Sequence, residues 1–224
     1  MLHMRRPYPD REAAGRELAG QLTEYAGRSD VVVLALPRGG VPVALPVAQA
    51  LAAPLDIVIV RKLGAPGQPE LAMGALAAYA EGVEVIRNDG LICALRVSDE
   101  QFDAVFRREL AELRRREAAY RGDRPAIPVR ARTVLVVDDG LATGSTMRAA
   151  VAAARHQRPE RVVVAVPIGS ADTCAALRQL AEEVVCPWTP RSFRAVGQGY
   201  LDFRATEDDE VRDLLQAAAS DSAR

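Results

Sequence analysis

The residues Val134 to Thr146, VLVVDDGLATGST, carry the chemistry most readily read from this chain. Two adjacent carboxylates, Asp138 and Asp139, follow four aliphatic residues, Val134 to Val137, of the kind that fill a parallel strand buried on both faces. Open α/β sheets place ligands at the carboxyl ends of such strands, and paired carboxylates there accept hydrogen bonds from two neighbouring hydroxyls, as on a ribose. Thr143, Gly144, Ser145 and Thr146 then lead into Met147 to Ala154, which reads as a helix. Backbone N–H groups at a helix start, three hydroxyls and a glycine that permits close approach make a phosphate site. The alternative is that Asp138 and Asp139 merely cap a helix. A Walker A loop is excluded because Ser145, not lysine, follows Gly144, and no GxGxxG follows a candidate strand.

Two more strand ends join this edge of the sheet. Val31 to Ala44, VVVLALPRGGVPVA, passes from a buried-type strand through Pro37, Arg38, Gly39 and Gly40 into a helix start. The Arg38 guanidinium can meet phosphate oxygens while the glycines bring the backbone within hydrogen-bonding distance. Taken alone, PRGG is equally a tight strand-to-helix turn. A third strand, Asp56 to Val60, ends in Arg61 and Lys62, and Lys62 is the only lysine among 29 Lys and Arg residues. A chain that otherwise uses arginine retains lysine where a compact, flexible ammonium is wanted. His3 lies near the start and His156 at a helix end, so neither is a persuasive general base and Ser-His or Cys-His catalysis has little support. Carboxylates, Lys, Arg and backbone must carry the chemistry.

The strand, acidic pair and TGST turn resemble the signature of type I phosphoribosyltransferases. With DREAAGRELA, LPRGGVPVA, VRKLGAPGQPELAMGA and AVGQGYLDF, the likeness covers nearly the whole chain and is greatest to a bacterial group whose acceptor is unassigned. The resemblance implies 5-phosphoribosyl-1-pyrophosphate as donor and Mg²⁺ as cofactor. It implies that Asp138 and Asp139 hold the ribose hydroxyls, directly or through Mg²⁺. Ala142, Thr143, Gly144, Ser145 and Thr146 would wrap the 5′-phosphate, and Arg38, Gly39 and Gly40 would form the pyrophosphate loop. The Arg61-Lys62 pair is similar to the orotate branch, where the lysine reaches the pyrophosphate. Arg38, Lys62 and Mg²⁺ would then neutralise the leaving group.

By the same resemblance, residues 62–87 form a mobile lid, with Gly64 to Gly74 as its loop and Glu70 inside it. A hood over the acceptor, about residues 187–205, offers Trp188, Phe193 and Tyr200 as rings that either stack on a planar acceptor or pack on the surface. AVGQGYLDF is similar to the VGYALDY stretch of the hypoxanthine-guanine branch, which implies Asp202 near the metal or acceptor. That branch has a lysine where this chain reads VAVPIGSAD and an aspartate where it has Ala142, so its acid/base residue does not carry over. The implied activity is phosphoribosyl transfer to a nucleobase or similar acceptor, in nucleotide metabolism. The other function class is a donor-binding sensor or regulator. A homodimer is the family-level expectation.

The elements that must position these residues follow from periodicity. A helix is expected from Asp10 to Ala26, with Ala14, Leu18, Leu22 and Tyr25 on one stripe, and Pro46 should kink the helix after PRGG. Strands Gly74 to Ala80 and Val83 to Arg87 read as a hairpin around Glu81-Gly82. Ser98 and Gln101 form a capping box for a long helix ending near Arg121. Its Arg114, Arg115 and Arg116 alternate with glutamates at helical spacing, which reads as a solvated face. Strands Val162 to Pro167 and Glu183 to Pro187 flank a helix from Ala171 to Ala181. Alternating strands and helices predict a mostly parallel, twisted sheet flanked by helices in a single domain, residues 1–224.

Composition agrees. A chain of 224 residues can bury roughly 70% of the surface exposed on unfolding. The formal net charge of −1 argues against a nucleic-acid partner. Cys93, Cys174 and Cys186 lack metal-ligand spacing, so reduced, mostly buried thiols in the cytoplasm are expected. The N-terminus has no apolar signal core, and no stretch has the ~18 apolar residues of a membrane span, so no membrane partner is expected.

Overall fold

The computed structural model describes residues 7–79 and 82–222. Five parallel strands form the central sheet: β1 (Val31–Ala35), β2 (Leu55–Ile57), β6 (Thr133–Val137), β7 (Arg161–Ala165) and β8 (Glu183–Val185), in the order β2-β1-β6-β7-β8. Side-chain alternation sorts each strand between two layers. Val31, Val33, Ala35, Leu135, Val137, Val163 and Ala165 join one cluster, whereas Val32, Leu34, Val134, Val136, Val162 and Val164 join the other. The first layer is covered by α1 (Arg11–Ala19), α2 (Gly40–Leu51), α4 (Asp99–Arg121) and α7 (Asp208–Ser222). The second is covered by α5 (Ser145–His156) and α6 (Ala171–Leu177). Both faces are therefore apolar, which is why the strands read as unbroken aliphatic runs. No helix among the described residues is long and apolar enough to cross a membrane.

At Val58 the chain leaves this sheet and enters a three-stranded antiparallel one: β3 (Ile59–Ala65), β4 (Gln68–Tyr79) and β5 (Gly82–Arg87), followed by α3 (Asp89–Ala94). The corner is fixed by an ion pair in which both partners are only 8% exposed. Asp56 receives hydrogen bonds from the Arg121 guanidinium and from the amides of Ile57 and Ile127, and Arg121 also donates to the Ile57 carbonyl. The hairpin is held to α5 where the Tyr79 hydroxyl donates to the Ala150 carbonyl at 2.5 Å.

Several expectations are corrected. The first helix stops at Ala19 and a 3₁₀ turn follows at Thr23–Tyr25, because the amides of Gln21 and Leu22 bond three residues back. Leu18, Leu22 and Tyr25 remain buried all the same. Pro46 lies inside α2, and its ring packs on Gly15 of α1, where a Cβ would come within 2.5 Å of Pro46 Cγ. The segment Gly64 to Gly74 is mostly paired hairpin rather than open loop, turning at Pro66-Gly67 with Gly67 at φ +73°. β7, β8 and α6 end a few residues earlier than read from sequence, while α3 and α7 were not anticipated. Ala80 and Glu81, expected at a strand end and in the hairpin turn, lie outside the described residues, as does His3.

The capping box of Ser98 and Gln101 forms as expected. Arg115 and Arg116 both pair with Glu112, but α4 is not solvated throughout: Glu109 is buried against Arg61. Cys174 is buried, Cys186 half-buried and Cys93 exposed, so the thiols are less uniformly buried than expected.

Candidate functional site

β1 and β6 are neighbours, yet β1 leads through α2 to β2 on one side while β6 leads through α5 to β7 on the other. The direction of the chain reverses between them, and the crevice at such a switch point is where open sheets bind ligands. Arg38, Gly39 and Gly40 follow β1, and Asp138 and Asp139 follow β6, so the topology places both turns at this crevice.

The two turns touch. A Cβ on Gly39 would fall 2.2 Å from Asp139 Oδ2, and one on Gly40 would fall 2.8 Å from the Val137 carbonyl oxygen. Only glycine admits this approach. The Pro37–Arg38 peptide is cis. Within the acidic pair, Asp138 Oδ1 accepts the Asp139 amide at 2.8 Å and Asp139 Oδ2 accepts Nε of Arg11 at 2.9 Å. Asp138 Oδ2 and Asp139 Oδ1 have no hydrogen bond among the described residues. Neither is a buried orphan, because the sole such side-chain atom there is Nε of Arg161. The pair thus presents one open oxygen from each carboxylate, which suits two adjacent hydroxyls. Burial, and then the charge of Asp139, push the Asp138 carboxyl well above its ordinary range. Burial also raises Asp139, against the opposing charge and hydrogen bond of Arg11.

The phosphate-type turn is built on α6 as well as α5. Gly144 has φ +70°, and a Cβ there would meet Thr173 Cγ2 at 2.5 Å. Thr173 donates to the Ala142 carbonyl at 2.7 Å, which holds the turn open. Thr143 and Ser145 share a hydroxyl hydrogen bond of 2.9 Å, and Ala142 and Thr143 are exposed. Ser145 and Thr146 begin α5, so their amides have no partner within the helix.

Strand alternation separates Arg61 from Lys62. Arg61 lies on the side of Ile59 and Leu63 and is drawn to α4, where Nη2 meets Glu109 at 2.6 Å. Lys62 is exposed and shares the face of Val58 and Val60, which pack in the α5 layer. The two cations expected to act as a pair therefore point to opposite sides. Arg38 is half-exposed and lies 3.5 Å from Asp208 and 3.9 Å from Glu207 at the start of α7.

The segment expected to form a hood packs against Tyr8, which precedes α1. Tyr8 and Tyr200 form a β-bridge, Leu201 donates to the Tyr8 carbonyl, and Tyr8 packs edge-on against Trp188 at 5.8 Å. Tyr200 is buried, stacked on Phe203 at 5.0 Å, and donates its hydroxyl to the Asp139 carbonyl at 2.5 Å. It acts as a strut under the acidic pair, with its ring already covered. Trp188 and Phe193 are half-buried against the same small cluster. Asp202 has both carboxylate oxygens on Arg204, and no cluster of three or more potential metal ligands occurs among the described residues. Asp202 therefore does not cluster with Asp138 and Asp139. Sequence reasoning missed Arg11, Tyr8 and Phe203; the segment DREAAGRELA marked the region but not the partner 128 residues away.

A family model described as the phosphoribosyl transferase domain matches residues 7–200. Two provisionally named phosphoribosyl transferases of Mycobacterium tuberculosis, from strains CDC 1551 and H37Rv, are 48% identical over 224 aligned positions. The match covers 96% of this chain and 50% of theirs, so the chain spans about half the length of these curated relatives. The crystal structure of TT1426 from Thermus thermophilus superposes with a TM-score of 0.80 at 42% identity, covering 94% of this chain and 98% of that one.

Proposed function

This chain belongs to the phosphoribosyl transferase family, and we propose that it transfers the phosphoribosyl group of 5-phosphoribosyl-1-pyrophosphate to a small acceptor with release of pyrophosphate. The observation that carries this reading is the acidic pair at the switch point, with one open oxygen on each carboxylate. It stands between a glycine turn and a helix start suited to phosphate.

In this reading Asp138 Oδ2 and Asp139 Oδ1 accept the two ribose hydroxyls and fix the anomeric carbon in place. Holding both reactants in line lowers the barrier by removing the entropy of their encounter. The turn Ala142 to Thr146 takes the 5′-phosphate on its amides and hydroxyls. Arg38, the Gly39 and Gly40 backbone, and Lys62 meet the pyrophosphate, where negative charge grows as the bond breaks. The hairpin of β3 and β4, carrying Lys62, closes over the centre and limits hydrolysis of the donor.

Mg²⁺ fits as a partner of the donor rather than as a caged ion. Two open carboxylate oxygens with no third ligand match a cation that keeps waters and binds through one or two carboxylates plus substrate phosphates. Asp138 and Asp139 would hold it, and it would supply charge neutralisation at the pyrophosphate.

The test is pyrophosphate release from the donor with Mg²⁺ across adenine, guanine, hypoxanthine, xanthine, uracil and orotate, with Asp139→Asn as control. Release with one base, absent in the variant, supports the transferase. Tight donor binding without release by any base overturns transfer to a base and favours a donor-binding sensor.

A further inference from the structure

We propose that Arg11 is a positioning residue for ribose recognition: it fixes the Asp139 carboxylate so that Oδ1 faces the sugar. This rests on the reading of Asp138 and Asp139 as the ribose-binding pair.

Four observations converge on Arg11. Its Nε donates to Asp139 Oδ2 at 2.9 Å, and its Nη1 donates to the Arg204 carbonyl at 2.8 Å, so the guanidinium is fixed at two points. Its Cζ lies 4.1 Å from the centroid of the Phe203 ring, a cation–π arrangement with a hood residue. Its side chain is only 11% exposed and that of Asp139 15%, so the pair is shielded from the solvent that weakens surface ion pairs. Nε also lies 3.3 Å from the position a Cβ would take on Gly39, which packs the pair against the backbone of the first turn.

The consequence concerns which oxygen is free. Asp139 Oδ2 faces Gly39 and Arg11, and its carbonyl on the other side accepts Tyr200. With Oδ2 bonded to Arg11 and packed against Gly39, the carboxylate has little freedom to rotate, and Oδ1 remains for a hydroxyl beside Asp138 Oδ2. Arg11 reaches the site from α1, while Arg204 and Phe203 lie in the segment expected to form the hood, so the same side chain ties that segment to the floor of the site. Nothing in this geometry touches the phosphate turn at Thr143 to Thr146.

That separation provides the test. Binding of ribose 5-phosphate and of inorganic phosphate is measured by calorimetry for the wild type, Arg11→Gln, Arg11→Lys and Asp139→Asn, with thermal melting as a folding control. The expected result is that Arg11→Gln weakens ribose 5-phosphate at least tenfold, changes inorganic phosphate by less than twofold, and is partly restored in Arg11→Lys. Equal loss of both ligands marks a merely structural role and overturns the proposal, as does ribose 5-phosphate affinity unchanged in Arg11→Gln while Asp139→Asn loses it. A wild type that binds inorganic phosphate but gains nothing from the ribose overturns the ribose-pair reading and the proposal with it.

Discussion

Nη1 of Arg38 lies 3.5 Å from a carboxylate oxygen of Asp208 and 3.9 Å from one of Glu207. The start of α7 thus holds the guanidinium that the pyrophosphate is proposed to meet. Asp208 is itself fixed by the Tyr120 hydroxyl at 2.7 Å, and burial together with that bond pushes the Tyr120 phenol up to about 12. Half-exposed ion pairs of this kind contribute about 0–1 kcal/mol. Replacing Asp208 with asparagine keeps the tyrosine's acceptor but removes the competing charge. Inorganic pyrophosphate should then bind up to about fivefold tighter. Weaker binding in Asp208→Asn, measured by calorimetry at low salt, would show that the contact supports Arg38 instead of competing for it.

Asp138 sets stability against function. Its carboxyl is raised well above 3.8 by burial and by the neighbouring Asp139 charge. A group whose folded pKa is raised binds its proton more tightly when folded, so its contribution is intact below 3.8 and is lost as pH climbs through the raised value. Asp138→Asn removes that loss while keeping an oxygen to accept the Asp139 amide. The variant should melt higher than the wild type by an amount that grows as pH rises above the ordinary carboxylate range. Its affinity for ribose 5-phosphate should fall at the same time. A melting difference that is flat across pH would show that the carboxyl is not strained by burial.

Much of this architecture was legible in the sequence because its signals are local. Val134 to Val137 and the acidic pair sit within one strand end, and Ser98 with Gln101 within one helical turn. The C-terminal helix was equally legible in retrospect: Val211, Leu215 and Ala218 are buried at helical spacing. Alternation also told against using Arg61 and Lys62 together, since neighbours on a strand face opposite ways. The salt bridge of Arg11 with Asp139 was not legible. It joins residues 128 apart, and only the docking of both chain ends on the sheet edge brings them together.

The Asp56–Arg121 pair should be the most sensitive structural position outside the site. Removing one partner of a buried ion pair leaves an unpaired charge, at a cost of about 3–5 kcal/mol. In Asp56→Ala the amides of Ile57 and Ile127 also lose their acceptor. Arg121 retains Glu117, which places the expected loss toward the lower end of that range. Urea unfolding followed by circular dichroism reads it directly. A loss under about 1 kcal/mol would mean that the corner between β2 and β3 is held by packing alone.

The neighbours Arg61 and Lys62 should separate stability from catalysis. Arg61 is committed to Glu109, a carboxylate only 8% exposed on α4, whereas Lys62 is exposed on the opposite face of β3. In Arg61→Met the glutamate keeps Arg108 at 3.1 Å but loses its closer partner, so stability should drop by about 1–3 kcal/mol. Donor affinity should change little, since the guanidinium points away from the α5 side. In Lys62→Met the β3–β4 pairing is untouched and the melting temperature should hold. Release of pyrophosphate should nevertheless slow by about tenfold or more, because the hairpin would close without the charge proposed to meet the leaving group. Measured together, the two variants weigh strand alternation against sequence adjacency. If Arg61→Met instead slows turnover at unchanged stability, the side chain leaves Glu109 when the donor binds, and the two cations act as a pair after all.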